Sequence, residues 1–149
     1  MSFSALPGLR EQPKTHKEDV VDSTKNRVSK IATVVVPVAD QEAQIAFYVE
    51  KLGLEKRMDV PFGPGDDRWV EVAPGDAETT IALPPPPPGT SAGNRETGIS
   101  LYAQDIDAYH ARLRADGVDA DPEVSRIGDP VPPLFWLRDP EGNVLMVVG

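Results

Sequence analysis

Few side chains in this sequence are suited to catalysis or to metal binding. The chain of 149 residues contains no cysteine and only two histidines, His16 and His110. Without cysteine there is no disulfide, no thiolate zinc or iron–sulfur site and no cysteine nucleophile. Because histidine is the commonest metal ligand and acid–base group near neutral pH, a histidine-rich metal site is excluded as well. Carboxylates and aromatic side chains are what remains.

Glu71 is the carboxylate whose neighbours in the sequence best indicate where its side chain points. It stands between Val70 and Val72 in a segment typical of a strand, so its side chain points to the face opposite the two valines. If the valines face the core, Glu71 faces a cavity, where it would bind a ligand or act as a general base. The alternative is an ordinary solvated strand residue.

Three aromatic residues are candidates for the walls of such a cavity. Trp69 and Trp136 would suit a pocket, since small-molecule pockets are mainly apolar and aromatic with few polar groups. Tyr102 has the same strand parity as Gly98 and Ser100, which directs all three to one face, where its hydroxyl could orient a ligand. For each aromatic residue, packing in the core is the alternative.

The elements that must position these residues are built twice along the chain. A β-branched segment at 31–38 is followed by a helix that begins after Asp40, a suitable N-cap, and ends at Gly53. Asp105 and Gly117 bound a second helix in the same way. Further strands are predicted at 54–60, 68–73 and 78–83 in the first half, and at 98–104, 118–126, 133–138 and 144–148 in the second.

This repeated order predicts an α+β fold of two tandem βαβββ modules. The sheet of one module would leave a face uncovered, so pairing two modules is a natural way to bury it. We expect a single domain over 28–149, with modules at 28–83 and 97–149. The segment 84–96 begins with five prolines and is expected to be a spacer, with an SH3-type ligand as the alternative.

Residues 1–27 are polar, contain two prolines and show no sustained period, which predicts a disordered tail. Because the folded pattern begins at Val28, one hypothesis is that the natural chain starts near this residue. The net charge of −9 argues against nucleic acid as a partner. The sequence has neither an apolar run long enough for a membrane span nor a signal peptide, so we expect a cytoplasmic protein.

The segment VVVPVADQEAQIAFYVEKLGLE at 34–55 and the turn Asp-Pro-Glu-Gly-Asn at 139–143 carry a family resemblance. Together with Asp105-Ile106-Asp107, they resemble the vicinal oxygen chelate superfamily, which includes glyoxalase I, bleomycin resistance proteins and extradiol dioxygenases. The resemblance covers roughly residues 30–149. It implies that the paired modules form a cupped mixed sheet that holds a small molecule, and that the chain forms a homodimer in which the cups are completed between units.

The same resemblance locates the positions at which metal-using members carry their ligands. The position of the histidine on the first strand holds Thr33, the equivalent ligand position in the second module holds Gly98, and the position of the last glutamate holds Met146. Glu71 corresponds to a further glutamate ligand of some members. Because transition metals need several nitrogen, oxygen or sulfur donors at once, we expect no metal and no cofactor. The expected ligand-binding residues are Thr33, Trp69, Glu71, Gly98, Tyr102, Trp136 and Met146.

The sequence therefore favours a metal-free small-molecule-binding protein, with the ligand in the cup of the sheet. One alternative is a lyase, isomerase or dioxygenase-type enzyme that uses Glu71, with or without a metal. A second alternative is an interaction or regulatory domain.

Overall fold

The computed structural model of the chain describes residues 25–149. Within it, residues 32–149 form one compact α+β unit. The predicted disordered tail at 1–27 lies almost entirely outside the described residues. In the described part of the chain, no helix has the length and apolar character needed to span a bilayer.

The first module contains four strands and one α-helix in the predicted order βαβββ. They are β1 (Thr33–Val35), α1 (Gln41–Ala46), β2 (Glu55–Pro61), β3 (Arg68–Ala73) and β4 (Thr80–Ala82). The sheet has the order β1-β4-β3-β2, with β1 parallel to β4 and the other neighbours antiparallel. The first strand is shorter than the predicted 31–38, and Pro37, which has no N–H for a sheet ladder, lies beyond its end.

The first helix begins and ends where the sequence predicts, but it changes type on the way. The Asp40 side chain accepts a hydrogen bond from Ala43 N, as an N-cap does. After Ala46 the chain continues as a π-helical turn, Phe47–Lys51, in which Leu52 N donates to Phe47 O. Gly53 then ends the helix with a φ of +87°, a conformation that favours glycine.

The second module repeats this order. It contains β5 (Glu96–Tyr102), α2 (Ile106–Ala115), β6 (Asp119–Ala120), β7 (Leu134–Arg138) and β8 (Val144–Val148), and its sheet has the order β5-β8-β7-β6. The predicted strand at 118–126 is wrong in extent, because only its first residues pair with β7 and Ser125 forms an isolated bridge. Pro122 lies in that segment and has no N–H to donate to a ladder.

One face of each sheet packs with the helices into a single hydrophobic core. Val72 and Ile81 contribute from the first module, and Leu113, Phe135 and Val147 from the second. The opposite face of each sheet, called here its outward face, is therefore left outside the core. The two outward faces carry the residues that the sequence singled out.

Asp139 joins the two modules through a buried carboxylate. Its Oδ2 accepts hydrogen bonds from Gln44 Nε2 (2.8 Å), Tyr48 OH (2.8 Å) and Asn143 Nδ2 (2.9 Å). Its Oδ1 accepts from the backbone N–H groups of Glu141 (2.9 Å) and Asn143 (3.0 Å). Burial raises the pKa of the Tyr48 phenol, and the charge of Asp139 raises it further. A carboxylate with five donors compensates for its desolvation through hydrogen bonds.

Glu141, in the same turn, provides a second link between the modules. Its carboxylate accepts hydrogen bonds from Ala39 N at 2.9 and 3.0 Å and from Asp40 N at 2.8 Å, at the start of α1. The free N–H groups at a helix start favour a negative charge. The Asp-Pro-Glu-Gly-Asn turn of the second module is thus part of the N-terminal cap of the helix in the first.

Candidate functional site

Glu71 lies on the outward face of the first sheet. Val70 and Val72, its neighbours on β3, are fully buried in the core, whereas Glu71 and Trp69 are partly exposed. In the antiparallel register Glu71 stands opposite Met58, and Trp69 stands opposite Val60. Since directly opposed residues share a face, this part of the outward face combines one carboxylate with apolar side chains.

The Glu71 carboxylate is held by hydrogen bonds on both oxygens. Trp69 Nε1 donates to Oε2 over 2.7 Å, and Thr80 Oγ1 lies 2.8 Å from Oε1. Thr80 Oγ1 is also 2.8 Å from Thr33 Oγ1, and the Thr33 hydroxyl is 3.2 Å from the Thr80 carbonyl. The single Thr80 hydroxyl proton favours the carboxylate, which is the stronger acceptor. Thr33 is therefore connected to Glu71 through Thr80, a residue that no sequence motif indicates.

Trp69 also forms a wall of an apolar cleft on the same module. The cleft has a volume of about 510 Å³, within the range of small-molecule sites. The Phe62 ring meets the Trp69 ring edge to face, with centroids 5.6 Å apart. The remaining lining residues are Val35, Pro37, Gly63, Pro64, Asp67 and Pro84–Pro88. The proline segment, expected to be a spacer with an SH3-type ligand as the alternative, connects the modules and also forms one side of this cleft.

The other predicted site residues lie on the outward face of the second sheet. Met146 on β8 is in register with both Trp136 on β7 and Ser100 on β5. Tyr102 is 75% exposed and Trp136 is 39% exposed, so neither packs in the core. A smaller cavity of about 280 Å³ borders Trp136 and is otherwise lined by Glu96, Asp121, Arg138 and Val144.

Gly98 occupies an open position on this face. Its φ is +71°, and a Cβ built on it would meet no heavy atom within 4 Å. The backbone conformation, rather than a close approach, is therefore the reason that glycine suits the position. The seven predicted residues fall into two groups, Thr33, Trp69 and Glu71 on the first outward face and Gly98, Tyr102, Trp136 and Met146 on the second.

The donors on these faces do not fit a transition metal. Of the four positions to which the resemblance assigns ligands, only Glu71 holds a strong donor, because Thr33, Gly98 and Met146 offer a hydroxyl, no side chain and a thioether. Among residues 25–149, no group of three or more histidine, cysteine, aspartate and glutamate side chains could hold a metal ion.

His110 does not belong to either outward face. Its Nε2 lies 2.7 Å from the Asp121 carbonyl oxygen, and its ring packs edge to face on the buried Phe135, with centroids 4.7 Å apart. His110 is only partly buried. The contact with Phe135 on β7 draws the imidazole against the sheet.

Comparison with known protein families identifies the superfamily of this chain. The family model described as Glyoxalase/Bleomycin resistance protein/Dioxygenase superfamily matches residues 30–147. The chain belongs to this superfamily. Two tandem modules, each with a four-stranded mixed sheet, are what this superfamily member shares with its structural relatives. The resemblance and the fold class drawn from the sequence are both confirmed.

Several relatives cover most of this superfamily member. TnmS3 from Streptomyces sp. CB03234, an antibiotic binding protein, is 35% identical, with a TM-score of 0.70 over 81% of this chain and 95% of its own. A superfamily member from Sphaerobacter thermophilus DSM 20745 is 32% identical, with a TM-score of 0.72 over 81% and 97% of the two chains. The uncharacterized protein YetH of Bacillus subtilis (strain 168) is 30% identical over 80% of this chain and 98% of its own.

Proposed function

We propose that this superfamily member is a metal-free protein that binds a small organic molecule in a cup between two copies of the chain. The observation that carries the proposal is the apolar cleft of about 510 Å³, whose lining residues include one charged side chain, Asp67. This composition is typical of small-molecule sites. The likeness to TnmS3, an antibiotic binding protein 35% identical to this chain, supports the same class of function.

Exposed apolar side chains on both outward faces support the homodimer. Val35, Met58 and Val60 on the first sheet are 44–49% exposed, and Tyr102 and Trp136 on the second are also uncovered. Exposed apolar side chains gathered on one face of a sheet favour an interaction site. In the proposed dimer the first outward face of one protomer meets the second outward face of its partner, so that both groups of site residues border one ligand.

The donor set is the basis for proposing that no metal takes part. Without a Lewis acid, an enzyme would lack several kcal/mol of transition-state stabilisation and would depend on Glu71 as its base. Both Glu71 oxygens already accept hydrogen bonds, which favours a binding and orienting role for this carboxylate. We place the folded domain at 28–149, and the protein in the cytoplasm.

Three measurements on the purified full chain test these proposals. A thermal-shift screen of small organic compounds is expected to find one that raises the midpoint in a concentration-dependent way. Light scattering is expected to give twice the chain mass of 16.1 kDa. Elemental analysis of protein prepared without chelators is expected to show no stoichiometric iron, zinc, nickel or manganese. A screen without hits, a monomer, or a retained metal would overturn the corresponding part.

A further inference from the structure

The residues that line the apolar cleft of the first module, and the charges near it, indicate which class of ligand it binds. We propose that Pro84–Pro88, Phe62 and Trp69 form a subsite for a flat apolar ring system, and that the same ligand carries a protonated amine bound by Glu71. This inference rests on the proposed binding function and names the class of ligand. Every residue that lines the cleft lies between Val35 and Pro88, so the subsite is complete within one chain.

The walls of the subsite are built largely from rings with little freedom to move. Proline side chains lose almost no rotamer entropy when they are buried, and a polyproline segment is stiff. The start of the segment is anchored, because Val38 N donates to the Pro84 carbonyl and Gln41 Nε2 to the Leu83 carbonyl, each over 2.9 Å. A rigid wall of this kind binds a flat apolar ring with little ordering cost.

The aromatic side of the cleft is fixed in the same way. The bond from Trp69 Nε1 to Glu71 sets the plane of the indole, and the edge-to-face contact with Phe62 supports it. A ring in the cleft would therefore meet an indole whose orientation is already determined, which favours stacking. The same hydrogen bond holds the Glu71 carboxylate 2.7 Å from the indole nitrogen of Trp69, a residue that lines the cleft.

The charges around the cleft favour a cationic ligand. Ionised Glu71 and Asp67 can only accept hydrogen bonds, so a partner must donate, and a charged donor makes the stronger bond. Arg68, which precedes Trp69 in the chain, is occupied by ion pairs with Glu42 (2.6 Å) and Asp59 (2.9 Å). A cation near the indole would gain further from the negative face of the ring.

Nuclear magnetic resonance of the full ¹⁵N-labelled chain tests this inference. The sequence contains two tryptophans, so two indole N–H signals are expected, and the Trp136→Phe variant assigns the one from Trp69. The probes are 2-(aminomethyl)naphthalene, 2-(hydroxymethyl)naphthalene and 2-naphthoate, which carry a cation, a neutral group and an anion on one ring system. The amine is expected to shift the Trp69 signal and to bind about tenfold more tightly than the alcohol, with the naphthoate weakest.

Two matched variants separate the charge from the fold. Glu71→Gln keeps an oxygen acceptor but removes the charge, and it is expected to abolish the preference for the amine while the alcohol binds as before. Glu50→Gln makes the same change at an exposed position on the π-helical turn and is expected to change neither affinity. The spectrum of each variant away from the cleft shows whether it has folded.

The outcomes distinguish this inference from the function on which it rests. Equal affinities for the three probes, or an amine preference that survives Glu71→Gln, would overturn the assignment of the amine. If the thermal-shift screen finds a ligand but no naphthalene probe moves the Trp69 signal, the ring subsite is wrong and the binding function stands. If neither experiment detects binding, both are wrong.

Discussion

The buried link between Tyr48 and Asp139 provides a quantitative test of how the modules are held together. Tyr48 is 0% exposed, and its hydroxyl donates to Asp139 Oδ2 over 2.8 Å. The substitution Tyr48→Phe removes that donor and leaves the aromatic ring in place, so no cavity of ring size is created. The carboxylate keeps its bonds from Gln44 and Asn143.

The expected loss of stability follows from the charge of the acceptor. Hydrogen bonds to charged groups contribute about 1.5–3 kcal/mol, against about 0.5–1.5 kcal/mol for neutral pairs. We therefore expect Tyr48→Phe to lower the free energy of unfolding by about 2 kcal/mol. For a chain of this length, that corresponds to a fall in melting temperature of about 4–8 °C.

Tyr109 offers a matched control in the same protein. Its hydroxyl donates over 2.7 Å to the neutral carbonyl oxygen of Leu52, and the residue is only partly buried. Tyr109→Phe is expected to cost about 1 kcal/mol or less. Urea denaturation of both variants at one protein concentration measures the difference. Equal losses, or a larger loss for Tyr109→Phe, would show that the buried carboxylate does not strengthen its bonds as argued.

Three further outcomes are expected from the same structure. Above about pH 10 the free energy of unfolding should fall as pH rises. Burial raises the pKa of Tyr48, so the native state keeps a proton that the unfolded chain releases. The urea midpoint of Tyr48→Phe should fall less steeply with pH than that of the unmodified chain. Glu141→Ala, which deprives the start of α1 of its acceptor, should cost about 0.5–2 kcal/mol by denaturation, and Glu141→Gln less. Gly98→Ala should cost about 1 kcal/mol from backbone strain alone, since its Cβ meets open space; a neutral result would contradict the role assigned to its φ of +71°.

Local features of the fold could be predicted from the sequence because their causes are local. Asp40 and Asp105 cap their helices through bonds to residues three positions later, and Gly53 and Gly117 end them with positive φ. The alternation along a strand likewise placed the Glu71 side chain on the face of the sheet opposite to that of Val70 and Val72. Each of these features is decided by residues only a few positions away.

Features that depend on distant residues could not be predicted in this way. The bond from Thr80 to Glu71 requires the register between β3 and β4, which the spacing of polar residues does not specify. The role of Pro84–Pro88 as a cleft wall requires Phe62 and Trp69 to fold beside it. The bond between Trp69 and Glu71, in contrast, could have been predicted from the sequence, because residues two apart on a strand share a face.

The bond between Glu141 and the start of α1 has a consequence for the order in which the chain acquires its structure during synthesis. Glu141 lies 101 positions after Asp40, whose N–H it accepts. A ribosome that adds about 5–20 residues per second needs roughly 5–20 s to produce this acceptor after Asp40 has been made. Through that interval the nascent helix exposes two amide groups that water alone satisfies. The N-terminal cap of the first module's helix is therefore completed only after most of the second module has been synthesised.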